Sequence, residues 1–130
     1  LKPIKKISTK EFPGYPTDLQ AQLIATQLKS GLKSKVVENI FENRFIHIPE
    51  LRRFGANLSI KGKTVTIHKT SNLLGAEVMA TDIRASFSLI IAAMMSKGKT
   101  VINRIYHLDR GYEDFDLKLK KCGVNISRKK

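Results

Sequence analysis

The chain repeats itself, and the repeat constrains its fold more than any other feature. Thr17-Asp18-Leu19-Gln20-Ala21 matches Thr81-Asp82-Ile83-Arg84-Ala85 at a spacing of 64 positions. Ile40-Phe41 then matches Ile105-Tyr106 at 65, Arg44 matches Arg110 at 66, and Gly55 matches Gly123 at 68. Landmarks in one order with a slowly drifting offset mark a duplicated structural unit whose second copy carries small loop insertions. The units run over about 12–70 and 76–130.

Each unit opens on a helix. In the first, Thr17 with Gln20 three residues on has the pattern of a capping box. Leu19, Leu23, Ile24 and Leu28 follow at helical spacing, and Gly31 stops the helix. In the second, Thr81 is the expected N-cap. Ile83, Phe87, Ile90, Ile91 and Met94 form the apolar face, and Gly98 is the stop. A β-branched run follows each helix, from Val36 to Phe41 and from Thr100 to Tyr106, and both predict strands. A second helix is expected from Pro49-Glu50 to Gly55, and again from Tyr112 to Gly123. Leu58, Ile60, Val65 and Ile67 alternate around Lys61-Gly62-Lys63, which predicts a β-hairpin. In the second unit Val124 and Ile126 have no partner strand, and Leu1 is not a start methionine, so the chain reads as an excerpt of a longer protein. Helix, strand, helix, hairpin implies a mixed α/β fold.

Composition narrows the function. The 130 residues suffice for one domain, and 42% apolar residues support a core. The longest apolar run, Leu89 to Met95, is too short to span a membrane, and the lysine-rich first ten residues lack the apolar centre of a signal peptide. Cys122 is the single cysteine, which excludes a disulfide framework or a Cys-rich zinc site and fits a cytoplasmic location. His47, His68 and His107 lack metal-ligand spacing and read as loop or strand residues. Met79, Met94 and Met95 read as core, and Cys122 as an apolar packing residue. The lysines and arginine of the tail, Lys118, Lys120, Lys121, Arg128, Lys129 and Lys130, read as solvated surface. A net charge of +13 and a pI near 10.1 raise nucleic-acid binding as a class.

Two acids and three arginines carry the chemistry. Asp18 and Asp82 fall at helix starts, where the backbone favours negative charge. The plain alternative for each is a helix-start acid, and at Asp82 nothing in the sequence separates the two. Before Asp18, Phe12-Pro13-Gly14-Tyr15-Pro16 forms a turn rich in Pro and Gly, the kind of rigid support a catalytic carboxylate needs. Arg44, Arg84 and Arg110 are expected in loops after strands or at a helix start, where α/β proteins collect anions. Their forked guanidinium groups match carboxylate and phosphate. The alternative for each is a solvated surface charge or an ion pair, with Glu42 and Asp109 as the nearby acids.

Four strings resemble the UDP-N-acetylglucosamine 1-carboxyvinyltransferases, a branch of the enolpyruvyl transferase family. They are Phe12-Pro-Gly-Tyr-Pro-Thr-Asp18-Leu-Gln-Ala-Gln22, Ile40-Phe-Glu-Asn-Arg44-Phe45, Gly75-Ala-Glu-Val-Met-Ala-Thr-Asp82-Ile-Arg84-Ala-Ser86 and Arg104-Ile-Tyr-His-Leu-Asp-Arg110-Gly-Tyr-Glu113. The resemblance runs from about Phe12 to the end. It implies an inside-out α/β barrel with helices inside and sheets outside, of which this chain would be two units of one domain in the C-terminal part. It implies transfer of enolpyruvyl from phosphoenolpyruvate to the 3-hydroxyl of UDP-N-acetylglucosamine, through a tetrahedral intermediate, with release of phosphate and no metal. This is the first committed step of peptidoglycan synthesis, a cytoplasmic reaction. Carried over by position, Asp18 contacts the acceptor hydroxyl and takes its proton. Ile40 touches the nucleotide sugar through its backbone. Arg44, Arg84 and Arg110 hold phosphoenolpyruvate, with Arg110 also catalytic, and Glu42 and Asp82 line the site. The family's catalytic-loop cysteine is not Cys122 and would belong to the missing N-terminal part, as would a lysine and an arginine of the site. The 130 residues alone are therefore expected to have no turnover. The rival readings are 3-phosphoshikimate 1-carboxyvinyltransferase, whose motifs fit less well, and a basic nucleic-acid-binding module, which lacks any recognition motif.

Overall fold

The computed structural model describes residues 4–42 and 44–128. The chain runs β1 (Lys6–Ser8), a 3-10 turn (Thr17–Leu19), α1 (Gln20–Gln27), β2 (Ser34–Val37), α2 (Ile48–Arg52), β3 (Leu58–Lys61), β4 (Thr64–Ile67), β5 (Glu77–Met79), α3 (Ile83–Met95), β6 (Val101–Asn103), α4 (Tyr106–Gly111) and α5 (Phe115–Lys121). The expected mixed α/β architecture is present.

Four strands make one sheet in the order β1-β2-β4-β3, with β1 and β2 parallel and the other pairs antiparallel. Val36 faces Val65 across one pair, and Leu58 faces Ile67 across the next. In β4 Val65 and Ile67 turn inward, as the period-two alternation of the hairpin requires. Ile60, in the same pattern, is 41% exposed. β5 and β6 form a separate parallel pair. Parallel strands need a crossover. Here α1 supplies it between β1 and β2, and α3 between β5 and β6.

The two crossover helices pack on each other more extensively than any other pair of elements. Their buried positions are rich in small residues, Ala21 and Ala25 on α1 and Ala85, Ser86, Ser88 and Ala92 on α3. Small side chains let helix backbones approach closely. Ile24, Leu28, Val36, Ile48, Leu51, Phe54, Val65, Ile67 and Leu89 make one continuous core between these helices and the main sheet. Ile90, Leu108 and Phe115 nucleate a smaller one under α4 and α5. Gly75 marks where the two sheets' connections meet. A Cβ there would lie 2.2 Å from the Lys99 carbonyl oxygen, so only glycine permits the approach.

Several expectations change. The first strand ends at Val37 rather than Phe41, because Glu38 turns its carboxylate back onto the backbone of Ile40 and Phe41. The second ends at Asn103, and α4 follows at once. Arg110 therefore stands in the last turn of a helix, not in a loop after a strand. The helix expected from Tyr112 begins at Phe115. Thr17 is not an N-cap: Pro16 occupies that position without a side-chain bond, and the Thr17 hydroxyl points to Glu38. Thr81 is replaced as N-cap by Asp82, which accepts from the Ala85 N–H at 2.7 Å. Met79 and Met94 are exposed rather than core, and Met95 alone of the three methionines packs against it. Cys122 is exposed, not an apolar packing residue. Asn43, Lys129 and Lys130 lie outside the described residues. Among those described, the sheets do not close into a barrel.

Candidate functional site

The turn before Asp18 is built by backbone bonds. Lys10 donates to the Tyr15 carbonyl at 2.9 Å, and Gly14 donates to that of Glu11 at 2.8 Å. The chain thus folds back beside β1 and delivers Thr17 and Asp18 to the start of the 3-10 turn. Close by, α3 begins with Arg84 in its first turn. The packing of α1 on α3 brings these two helix starts together.

There Asp18 meets two arginines. Arg84 Nε donates to Asp18 Oδ1 at 2.6 Å, and Arg44 Nη1 lies 3.8 Å from the same oxygen. The Arg44 guanidinium also sits over the Phe41 ring, 4.3 Å from its centroid. Asp18 remains 64% exposed along its side chain, Arg84 45% and Arg44 22%. An ion pair this open contributes little to stability. Both arginines engage Oδ1, and among the described residues no hydrogen bond engages Oδ2. The partner acids differ from those the sequence offered. Arg44 pairs with Asp18 and not Glu42, and Asp109 pairs with Arg128 at 2.6 Å and not Arg110.

Beside this cluster lies an open cleft of about 900 Å³, lined by Ile40, Phe41, Glu42, Arg44, Ile60 and Lys63 among others. Ile40 and Glu42 thus share a wall with Arg44. A small hollow on the other side is lined by Thr17, Gln20, Arg44, His47, Asp82 and Arg84. Of the eight lining residues that include Asp82, its carboxylate is spoken for by the cap of α3. Arg110 is exposed on α4 and is not brought into contact with Asp18. Its neighbour Gly111 packs against Ile83, which places the end of α4 against the start of α3.

Two residues of the site escaped sequence reasoning. Glu38 is buried with 3% exposure and accepts from Thr17 Oγ1 at 2.6 Å, Thr9 Oγ1 at 2.8 Å, Ile40 N at 3.0 Å, Gln20 Nε2 at 3.1 Å and Phe41 N at 3.3 Å. Burial pushes its carboxyl up, but the hydrogen bonds outweigh burial and hold it below the ordinary value. His47 is buried in the N-cap position of α2 rather than lying in an open loop, and its Nε2 has no partner among the described residues. Burial pushes its imidazole down to about 4, against the opposing pull of Asp82. Neither residue belongs to a periodic pattern, so nothing local in the sequence announces them.

The comparisons with known proteins follow the same lines. The UDP-N-acetylglucosamine 1-carboxyvinyltransferase of Rhodopseudomonas palustris (strain TIE-1) is 56% identical over 122 residues, covering 94% of this chain and 28% of the relative. That of Pelagibacter ubique (strain HTCC1062) is likewise 56% identical, with 94% and 29% covered. The chain thus spans less than a third of the length of these relatives. The crystal structure of the enolpyruvyl transferase NikO from Streptomyces tendae superposes with a TM-score of 0.84 at 27% identity, over 97% of this chain and 30% of that one. The family model of EPSP synthase (3-phosphoshikimate 1-carboxyvinyltransferase) matches residues 1–119, nearly the whole chain, and on that match the chain belongs to the EPSP synthase family.

Proposed function

We propose that this chain supplies one wall of the active site of a UDP-N-acetylglucosamine 1-carboxyvinyltransferase. The observation that carries this reading is the Asp18–Arg84–Arg44 cluster, whose Arg44 lines the 900 Å³ cleft. The names of the relatives at 52–56% identity favour the nucleotide sugar as acceptor over shikimate 3-phosphate. The cleft would take the nucleotide sugar along the Ile40 backbone and Glu42. Arg44, Arg84 and Arg110 would take the carboxylate and phosphate of phosphoenolpyruvate.

The chemistry follows from charge. Phosphoenolpyruvate is a small, highly charged anion, and guanidinium forks bind it bidentately. As it arrives it competes with Asp18 for Arg84 and Arg44. Asp18 Oδ2 then accepts the proton of the 3-hydroxyl while that oxygen bonds to C2 of phosphoenolpyruvate, and the methylene carbon takes a proton from an acid on the opposite wall, supplied by the rest of the full-length protein. In the elimination the C2–O bond to phosphate breaks, the methyl group returns its proton to that same group, the leaving phosphate takes the proton held by Asp18, and the enol ether remains. The arginines stabilise the charge on the phosphate throughout. Asp82 lines the site from the start of α3. Units 12–70 and 76–130 form two of the repeats of an inside-out α/β barrel domain. The rest of a protein of the relatives' length supplies the opposite wall. The cytoplasm, where the charged substrates are made, and a role in cell-wall synthesis and division complete the reading.

The test is phosphate release by a protein of the relatives' full length carrying this sequence. Phosphoenolpyruvate is offered with either UDP-N-acetylglucosamine or shikimate 3-phosphate. Release is expected with the nucleotide sugar alone, and an Asp18→Asn variant is expected to lose on the order of a hundred-fold in kcat. Release with shikimate 3-phosphate instead would move the chain to the sister reaction. Full activity in Asp18→Asn would remove the proton-accepting role.

A further inference from the structure

The buried carboxylate of Glu38 lies behind the site, and none of the roles above uses it. Its five donors come from three separate segments. Thr9 directly follows β1, Thr17 and Gln20 flank Asp18, and Ile40 and Phe41 line the cleft. The network continues outward. Asn39 N–H donates to Thr9 Oγ1 at 2.7 Å, and Gln20 Nε2 reaches the Arg44 carbonyl at 3.4 Å. Only a carboxylate accepts from so many donors without offering one of its own. An amide of the same shape turns an N–H₂ group toward donors, whichever way it flips.

We propose that Glu38 is a positioning residue that sets the distance between the Asp18 carboxylate and the backbone of Ile40. Both features meet the acceptor substrate in the functional reading above, on which this inference rests. The acceptor must present its hydroxyl to Asp18 while its nucleotide lies along Ile40. A tether joining Thr17 to Ile40 through one side chain fixes that span before substrate arrives. The preorganisation matters because a displacement of about 1 Å between reacting groups can cost roughly a hundred-fold in rate. Phosphoenolpyruvate, held by the arginines, meets the network only through the longer Gln20–Arg44 contact. Loss of Glu38 therefore acts chiefly on the acceptor substrate.

The experiment compares Glu38→Gln with the unaltered full-length protein and with Val65→Ala. The last variant hollows the core of the same sheet without touching the network and reports what lost stability alone does. Glu38→Gln is expected to raise the KM for UDP-N-acetylglucosamine about ten-fold and that for phosphoenolpyruvate less than about three-fold. Amide exchange at Ile40 and Phe41 is expected to accelerate, with the β4 amides unchanged. Thr17→Val cuts the tether from the helix side and leaves the loop amides bonded. It is expected to lower kcat with exchange at Ile40 and Phe41 unchanged, and it tests the idea should Glu38→Gln not fold. Equal changes in both KM values, or a Val65→Ala profile identical to Glu38→Gln, would overturn the assignment. If the unaltered protein released no phosphate from this substrate pair, the functional reading would fail. Exchange at Ile40 and Phe41 in Glu38→Gln would still decide the tether: faster supports it, unchanged overturns it.

Discussion

His47 shows how far a single side chain's setting can depart from its sequence context. The Phe45-Ile46-His47-Ile48 string looks like a loop running into a helix, and the imidazole is 1% exposed. Its depressed pKa makes a pH prediction with a definite sign. The unfolded chain takes up a proton near pH 6.5 and the folded chain only near 4. The stability this residue contributes is therefore complete above pH 6.5 and is lost as pH falls toward 4. Urea unfolding of the full-length protein should show a loss of about 2 kcal/mol between pH 7 and pH 5 attributable to His47. His47→Leu should remove that slope. Glu38 has its pKa lowered from 4.5, so its contribution is lost only at lower pH and does not obscure the test. Asp18, Arg44 and Arg84 were legible as residue types at suggestive places. That Asp18 meets Arg84, 66 positions away, was not, and the acids adjacent in sequence to the arginines pair elsewhere or not at all.

At the scale of elements, the start of α3 joins structure to chemistry. Asp82 caps the helix that carries Arg84. Asp82→Ala should cost about 1 kcal/mol in urea unfolding, whereas Asp82→Asn keeps the capping oxygen and should leave stability unchanged. If Asp82 also lines the site as proposed, Asp82→Asn should still lower kcat at least several-fold. Unchanged kcat would make it a cap and nothing more. The helices α1 and α3 and the β3–β4 hairpin were readable, because apolar spacing and glycine punctuation are local signals. The capping box at Thr17 failed because a buried, ionised Glu38 competes for the hydroxyl and offers the stronger, charge-assisted bond. The strands β1 and β5, three residues each, are too short to show alternation. They exist because a neighbouring strand offers hydrogen bonds. Each therefore precedes the repeated letters, and each pairs in parallel with the strand after its crossover helix.

For the whole molecule, openness is the deciding property. Asp18 and Arg84 lie in water on one side, and the larger cleft is unroofed. Electrostatic stabilisation of a transition state needs a site from which water is excluded. The 130-residue chain alone is accordingly expected to release no phosphate from phosphoenolpyruvate and UDP-N-acetylglucosamine, and the protein of full length is expected to do so; turnover by the short chain would show that this wall suffices. Some of the positive charge behind the net +13 is engaged by acids. Arg44 and Arg84 are drawn to Asp18, and Arg128 to Asp109 and Asp116. What the sequence by itself determined was the mixed α/β class, the two crossover helices and the β3–β4 hairpin. All of these depend on neighbours along the chain. What only the tertiary structure decided was which charges meet. The partners of Asp18 and Glu38 are chosen by the packing of α1 on α3 and by the burial of one carboxylate, and those of Arg128 by its return to α4 and α5; none of these leaves a local trace in the order of residues.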